Sequence, residues 1–254
     1  MLVRMGMGAE LVLLAIDDRR GAVRNGRRMG LVVAAAELVE LALAGHVGLV
    51  GAHLTVRKMG GVEEDPELSS ALAKLAAQQR PTTVEAWLAA RGDLGRVRRC
   101  VLELERDGVV RADDSSKQVA GDDAMVVHVE DRDLSRGAVD RFRGVARGDR
   151  VSVADEAFAA LADAAGLTRV YLGGLSNRRA RARISTLTAH RSDPPPEPGR
   201  TVLAIVRAAL RAMAEAARRD NRGGDGGGSI AIPIDQQFGM QPGIRAAWSN
   251  PNIP

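Results

Sequence analysis

Residues 31–45 read LVVAAAELVELALAG, and this stretch decides what kind of fold the chain can adopt. Placed on a helix, it is apolar nearly all the way round. Only Glu37 and Glu40 interrupt it, three apart and on one side. Such a helix is either buried in a sizeable core or lies across a membrane. A bilayer span needs about 20 apolar residues. This run is shorter, carries two carboxylates and stops at Gly45, so it predicts a buried central helix wrapped by its neighbours.

Composition says what does the wrapping. The chain has 254 residues, enough for one large domain or two small ones. Hydrophobic residues make up 45% and aromatics only 2%, so the core must be built from Ala, Val and Leu. That favours close helix packing over a sandwich. The expected class is mainly α, with amphipathic helices around a buried central bundle and one short β-hairpin.

Outward from the central helix, residues 10–16 (ELVLLAI) form a short apolar run closed by Asp17, Asp18 and Gly21. A polar loop with Arg24, Arg27 and Arg28 then leads into the buried helix. Residues 47–50 suggest a short strand. Residues 66–78 read as an amphipathic helix with Leu68, Leu72 and Leu75 on one face. Thr82 and Glu85 have capping-box spacing and predict the start of a helix carrying Val84, Trp87 and Leu88. A Gly92-Asp93 break precedes a helix over 94–107 with Val97, Val101 and Leu104 inward, ended by Gly108. Val109-Val110 and residues 125–129 make two hairpin arms around a loop with Asp113, Asp114, Lys117, Asp122 and Asp123. Further helices are expected over 134–146, 154–166, 170–188 and 201–219. In the last, Arg207, Arg211 and Arg218 lie opposite Ile205, Ala209 and Met213. GGDGGGS from Gly223 reads as a flexible linker, so the expected division is a helical domain over 1–221 and a tail rich in Pro, Gln and Asn over 222–254.

Three of the 36 basic residues are lysines (Lys58, Lys74 and Lys117) and the rest are arginines. The net charge of +4 and sequence pI of about 9.9 suit an anionic partner. Cys100 is the single cysteine, which excludes an internal disulfide and a cysteine-based metal site. His46, His53, His128 and His190 are scattered without metal-ligand spacing, so no metal and no cofactor is expected. GxxxxGK[ST], HExxH, GxSxG and CxxC are all missing, and nothing argues for an enzyme. The opening MLVRMGMGAE lacks the apolar region and cleavage site of a signal peptide. The expectation is a cytoplasmic protein, peripherally associated with the inner face of a membrane.

In order, ELVLLAIDDRRG, AAAELVELALAGHV, TTVEAWL, VRRCVLELERDGVV, EAFAALADAAGL and TVLAIVRAAL resemble the Golgi phosphoprotein 3 family in its bacterial, actinobacterial-type branch, over roughly residues 9–220. The resemblance implies a mostly helical fold with one protruding hairpin. It also implies a non-enzymatic peripheral protein that binds phosphatidylinositol 4-phosphate in a basic pocket, with the hairpin dipping into lipid. Val97-Arg98-Arg99-Cys100-Val101 stands where the family carries headgroup arginines. Arg98 matches one directly, and Arg96 matches another after a one-residue shift. A family tryptophan and a family arginine fall on Asn25 and Ala34, and Arg24, Arg27 and Arg28 lie close enough in sequence to replace the lost charge. The expected headgroup-binding set is therefore Arg98, Arg96, Arg99, Arg27, Arg28 and Arg24, with Met125, Val126 and Val127 as the membrane-contacting hairpin residues. The bland alternative for Arg96, Arg98 and Arg99 is a solvated helix face.

The expected partners are acidic phospholipids, a protein docking through residues 230–254, and a second copy in a homo-oligomer. Nucleic acid is not favoured. RVRRCVLELERDGVVRAD has the order of a winged helix, which keeps a DNA-binding regulator as the alternative, but no recognition helix with base-reading side chains follows a short turn. A scaffold docking partners through its tail is the third reading.

Overall fold

The computed structural model describes residues 5–17, 19–61, 65–113, 126–149, 152–174, 177–187 and 195–223. The chain divides into two units, Met1–Ala216 and Ala217–Pro254, and the described part of the second, residues 217–223, is helical. Met125, the remaining loop residues Asp114, Lys117, Asp122 and Asp123, and the tail segment 230–254 lie outside the described residues.

In chain order the helices are α1 (Met7–Ala15), α2 (Gly26–Leu43), α3 (Pro66–Ala76), α4 (Val84–Arg91), α5 (Leu94–Arg106), α6 (Arg132–Arg147), α7 (Val153–Ala164), α8 (Thr168–Tyr171), α9 (Arg178–Thr186) and α10 (Gly199–Gly223). The mainly α class stands. α2 is the buried centre: residues 32–39 are all buried, and α1, α3, α4, α5 and α7 pack on it. Ala34, Ala35 and Ala36 are fully buried, and their small side chains let neighbouring backbones come close. The closest approach is at Gly30, where an added Cβ would stand 2.5 Å from the Asp93 carbonyl oxygen. The α4–α5 corner thus rests directly on the first turns of α2.

α2 begins five residues earlier than the apolar run, at Gly26, so Arg27 and Arg28 ride on its first turn instead of in a loop. The entry is made by Asn25, a non-glycine residue at φ 52° in the left-handed region. At the other end Gly45, at φ 76°, lets the His46 N–H reach back to the Leu41 carbonyl and close the helix. Residues 10–16 belong to α1, whose residues other than Glu10 are buried.

The strands are short antiparallel pairs. β1 (Ile16–Asp17) pairs with β2 (Ala22–Val23). β3 (Val47–Val50), β4 (His53–Val56) and β5 (Thr82–Thr83) form a three-stranded sheet. β6 (Val110–Ala112) and β7 (Val127–Val129) are the expected hairpin arms.

Three local expectations shift. The cap of α4 is Thr83, one residue later than the spacing predicts, and its hydroxyl accepts from the Ala86 N–H. The single helix expected over 170–188 is two, α8 and α9, interrupted where Gly173 and Gly174 fall, the latter at φ 95°. The last helix runs longer, Gly199–Gly223, with Ile205, Ala209 and Met213 inward as expected.

Candidate functional site

α5 separates the arginines of the VRRCV segment by rotation. Each helical residue turns about 100° from the last, so Arg98 falls about 40° from Leu94, whereas Arg96 and Arg99 share a face well away from it. That second face looks at carboxylates. Arg96 is buried and pairs with Glu37 of α2 and, at 3.4 Å, with Glu67 of α3. Arg91 of α4 reaches the same Glu37 at 3.2 Å and lies 4.6 Å over the Trp87 ring. Burial pulls the Arg91 pKa down. Arg99 holds Glu67 at 2.9 Å, and that hydrogen bond raises the arginine pKa.

A cleft of about 180 Å³ opens beside this network, lined by Glu37, Glu40, Glu67, Arg96, Arg99 and Cys100 among others. Its carboxylates, with Asp65 and Glu103 added, outnumber its arginines. Burial raises the Glu103 pKa and takes Glu40 to about 7, although Glu40 accepts the Met7 N–H at 2.8 Å. The Cys100 thiol is pushed up to about 12 by burial. A cleft with this charge balance is a poor seat for a phosphate. The expectation of Arg96 as a headgroup ligand is thereby corrected: it is an internal counter-ion, fixed because a carboxylate in the central helix cannot be buried alone.

The other expected cations collect at the opposite face of the corner, around the start of α2. Arg27 and Arg28 are exposed, and among the described residues no ion pair or hydrogen bond engages either. Asn25 makes no side-chain cap to α2. Its Nδ2 donates to the Ala165 carbonyl at 2.9 Å instead, so the first N–H groups of α2 keep their positive end. An added Cβ at Gly26 would lie 2.9 Å from Leu94 Cδ2, which puts the α5 N-terminus beside that turn. Arg98, half-buried, is one helical turn further along α5 on the Leu94 side. Arg24 is set apart from this group by its ion pair with Asp17 at 2.8 Å.

The hairpin approaches the same end. The Val127 N–H donates to the Gly21 carbonyl at 2.6 Å, and an added Cβ at Gly21 would meet Val126 Cγ1 at 3.0 Å. Val127 itself is fully buried, a second correction: it is core, not a membrane contact, because alternate residues of a strand face opposite ways. Val126 is half-buried. Ala34, at the family's arginine position, is fully buried on the core side of α2, where a guanidinium would have no water.

The Glu37–Arg91–Arg96–Glu67 network escaped the sequence reading. A signal for it existed, since Glu37 in an otherwise apolar helix demands a buried cation.

Among the described residues no helix is long and apolar enough to cross a membrane, and no group of His, Cys, Asp or Glu is arranged to hold a metal ion. Fold and site together define a helical-bundle protein with a basic end assembled at the N-terminus of its central helix. The profile of the Golgi phosphoprotein 3 (GPP34) family matches residues 7–217, and the chain belongs to that family. No curated protein matches it.

Proposed function

We propose that this protein is a non-enzymatic peripheral membrane protein that binds acidic phospholipid headgroups at the α2 N-terminal end, the family likeness favouring phosphatidylinositol 4-phosphate. The observation that carries the reading is the pair Arg27 and Arg28, exposed on an α2 first turn without a side-chain cap, next to the α5 face that bears Arg98. Free helix N–H groups and guanidinium groups are the donors a phosphate needs. Each arginine near an anionic leaflet contributes about 1 kcal/mol, so three give reversible adsorption. The membrane faced is the inner, cytoplasmic one in this reading.

The test is co-sedimentation with vesicles of neutral lipid, of neutral lipid with an acidic phospholipid, and of neutral lipid with phosphatidylinositol 4-phosphate. Wild type pellets with the acidic vesicles, and Arg27→Ala with Arg28→Ala and Arg98→Ala pellets about tenfold less. Equal pelleting of both proteins, or of neither, overturns the reading. The outward stripe of α5 carries Leu94, Arg98, Leu102 and Glu105, which suits a lipid surface better than base edges.

A further inference from the structure

Five large aliphatic side chains are exposed among the described residues: Val50, Met59, Leu94, Leu102 and Val170. Two of them stand on elements tied to the start of α2. Leu94, 37% exposed, is the first residue of α5 and packs over Gly26. Val170, 43% exposed, sits on α8 directly after the α7 end that Asn25 grips through the Ala165 carbonyl. The α7 end is held tightly there, since an added Cβ at Gly166 would lie 3.3 Å from Asn25 Nδ2. α8 is anchored in turn by the Tyr171 hydroxyl, which donates to the Leu14 carbonyl at 2.6 Å. Val170 is therefore presented on a braced turn, with exposed Arg169 beside it.

Exposed arginines stand on the same elements, Arg27 and Arg28 on the first turn of α2 that Leu94 touches and Arg169 on α8 next to Val170. Two carboxylates at this end are engaged: Asp93 caps α5 through the Arg96 N–H, and Asp17 is paired with Arg24. Exposed apolar side chains accompanied by arginines match the boundary of an anionic leaflet, where charge meets headgroups and aliphatic carbons meet acyl chains. Charge alone gives only loose adsorption, and a stable residence needs such a second contact. We infer that Leu94 and Val170 are paired apolar anchors that enter the acyl boundary of an anionic leaflet while Arg27, Arg28 and Arg169 hold its headgroups. This rests on the membrane reading above and adds Val170, Arg169 and Leu94 to it.

The test uses the full chain with one cysteine added at a time, Leu94→Cys, Val170→Cys and, as control, Val50→Cys in β3, beyond the C-terminal end of α2. α2 is about 27 Å long at its 18 residues, so the control is remote from the site. An environment-sensitive NBD label goes to the added cysteine, because native Cys100 is buried. With acidic vesicles, the Leu94→Cys and Val170→Cys labels shift to the blue and brighten, and the Val50→Cys label does not. In parallel, Leu94→Ser with Val170→Ser lowers vesicle binding about tenfold and leaves its salt dependence unchanged, whereas the arginine variants reduce that salt dependence. Pelleting with both labels silent overturns the anchors and leaves the membrane reading standing. A shift of all three labels alike overturns the anchors as well. Absence of pelleting overturns both.

Discussion

Arg96 of α5 closes an ion pair with Glu37 of α2 inside the core, with both side chains less than a tenth exposed. Glu37 thereby ties α2 to α5 and, through Arg91, to α4. Removing the carboxylate alone takes the Glu37 partner from two buried guanidinium groups, of which Arg96 keeps Glu67. Glu37→Gln is expected to cost about 3–5 kcal/mol of stability in urea unfolding. Arg96→Met leaves the carboxylate with Arg91 and should cost less. Equal losses for the two variants contradict this division of labour.

Gly30 carries a different constraint. An added Cβ would press on the Asp93 and Gly92 carbonyl oxygens, at 2.5 and 2.8 Å, which are backbone atoms and cannot swing away. Gly30→Ala should destabilise by about 2 kcal/mol. Because it lifts the α4–α5 corner from the start of α2, it should also weaken binding to acidic vesicles. A variant as stable as wild type would show that the corner does not rest on α2.

Glu40 makes stability depend on pH. Burial raises its carboxyl from the ordinary 4.5 to about 7 in the folded chain. The folded state holds this proton more tightly than the unfolded one, so the contribution of Glu40 falls as pH rises from 4.5 to 7 and stays low above. Glu40→Gln keeps an acceptor for the Met7 N–H and removes the charge. The variant should gain on wild type by up to about 3 kcal/mol at pH 8 and by nothing at pH 4. Parallel stability curves across that range would contradict the assignment.

Cys100 gives a clean reporter of unfolding. Its thiol is buried and raised to about 12, so a thiolate-selective reagent at pH 8 should react about a thousandfold more slowly than with the unfolded chain. Reaction at the same rate in buffer and in urea would place the sulfur at the surface.

The central helix was legible because its apolar run is long, and its environment follows from Glu37 and Glu40. α1 was visible only as an apolar run, since nine residues buried nearly all round carry no usable period. The strand made by Thr82 and Thr83 against His53 and Leu54 joins segments 28 residues apart or more, which no local spacing records. At the site, Arg96, Arg98 and Arg99 are equivalent as letters. A 100° step per residue sends them to different surroundings, and which surroundings those are depends on Glu67 and on Gly26, both remote in sequence. Leu94 and Val170 escaped for the same reason: one exposed aliphatic means nothing until the fold shows which elements it stands with.

Asn25 joins the beginning of α2 to the end of α7 across 140 residues, and Leu94 comes to that junction from a third part of the chain. No fragment made early in synthesis contains this surface, although it contains many of its arginines. On the membrane reading proposed above, attachment to lipid would double as an inspection of the finished fold, because a chain released before α8 or collapsed in the wrong register has the charge but not the shape.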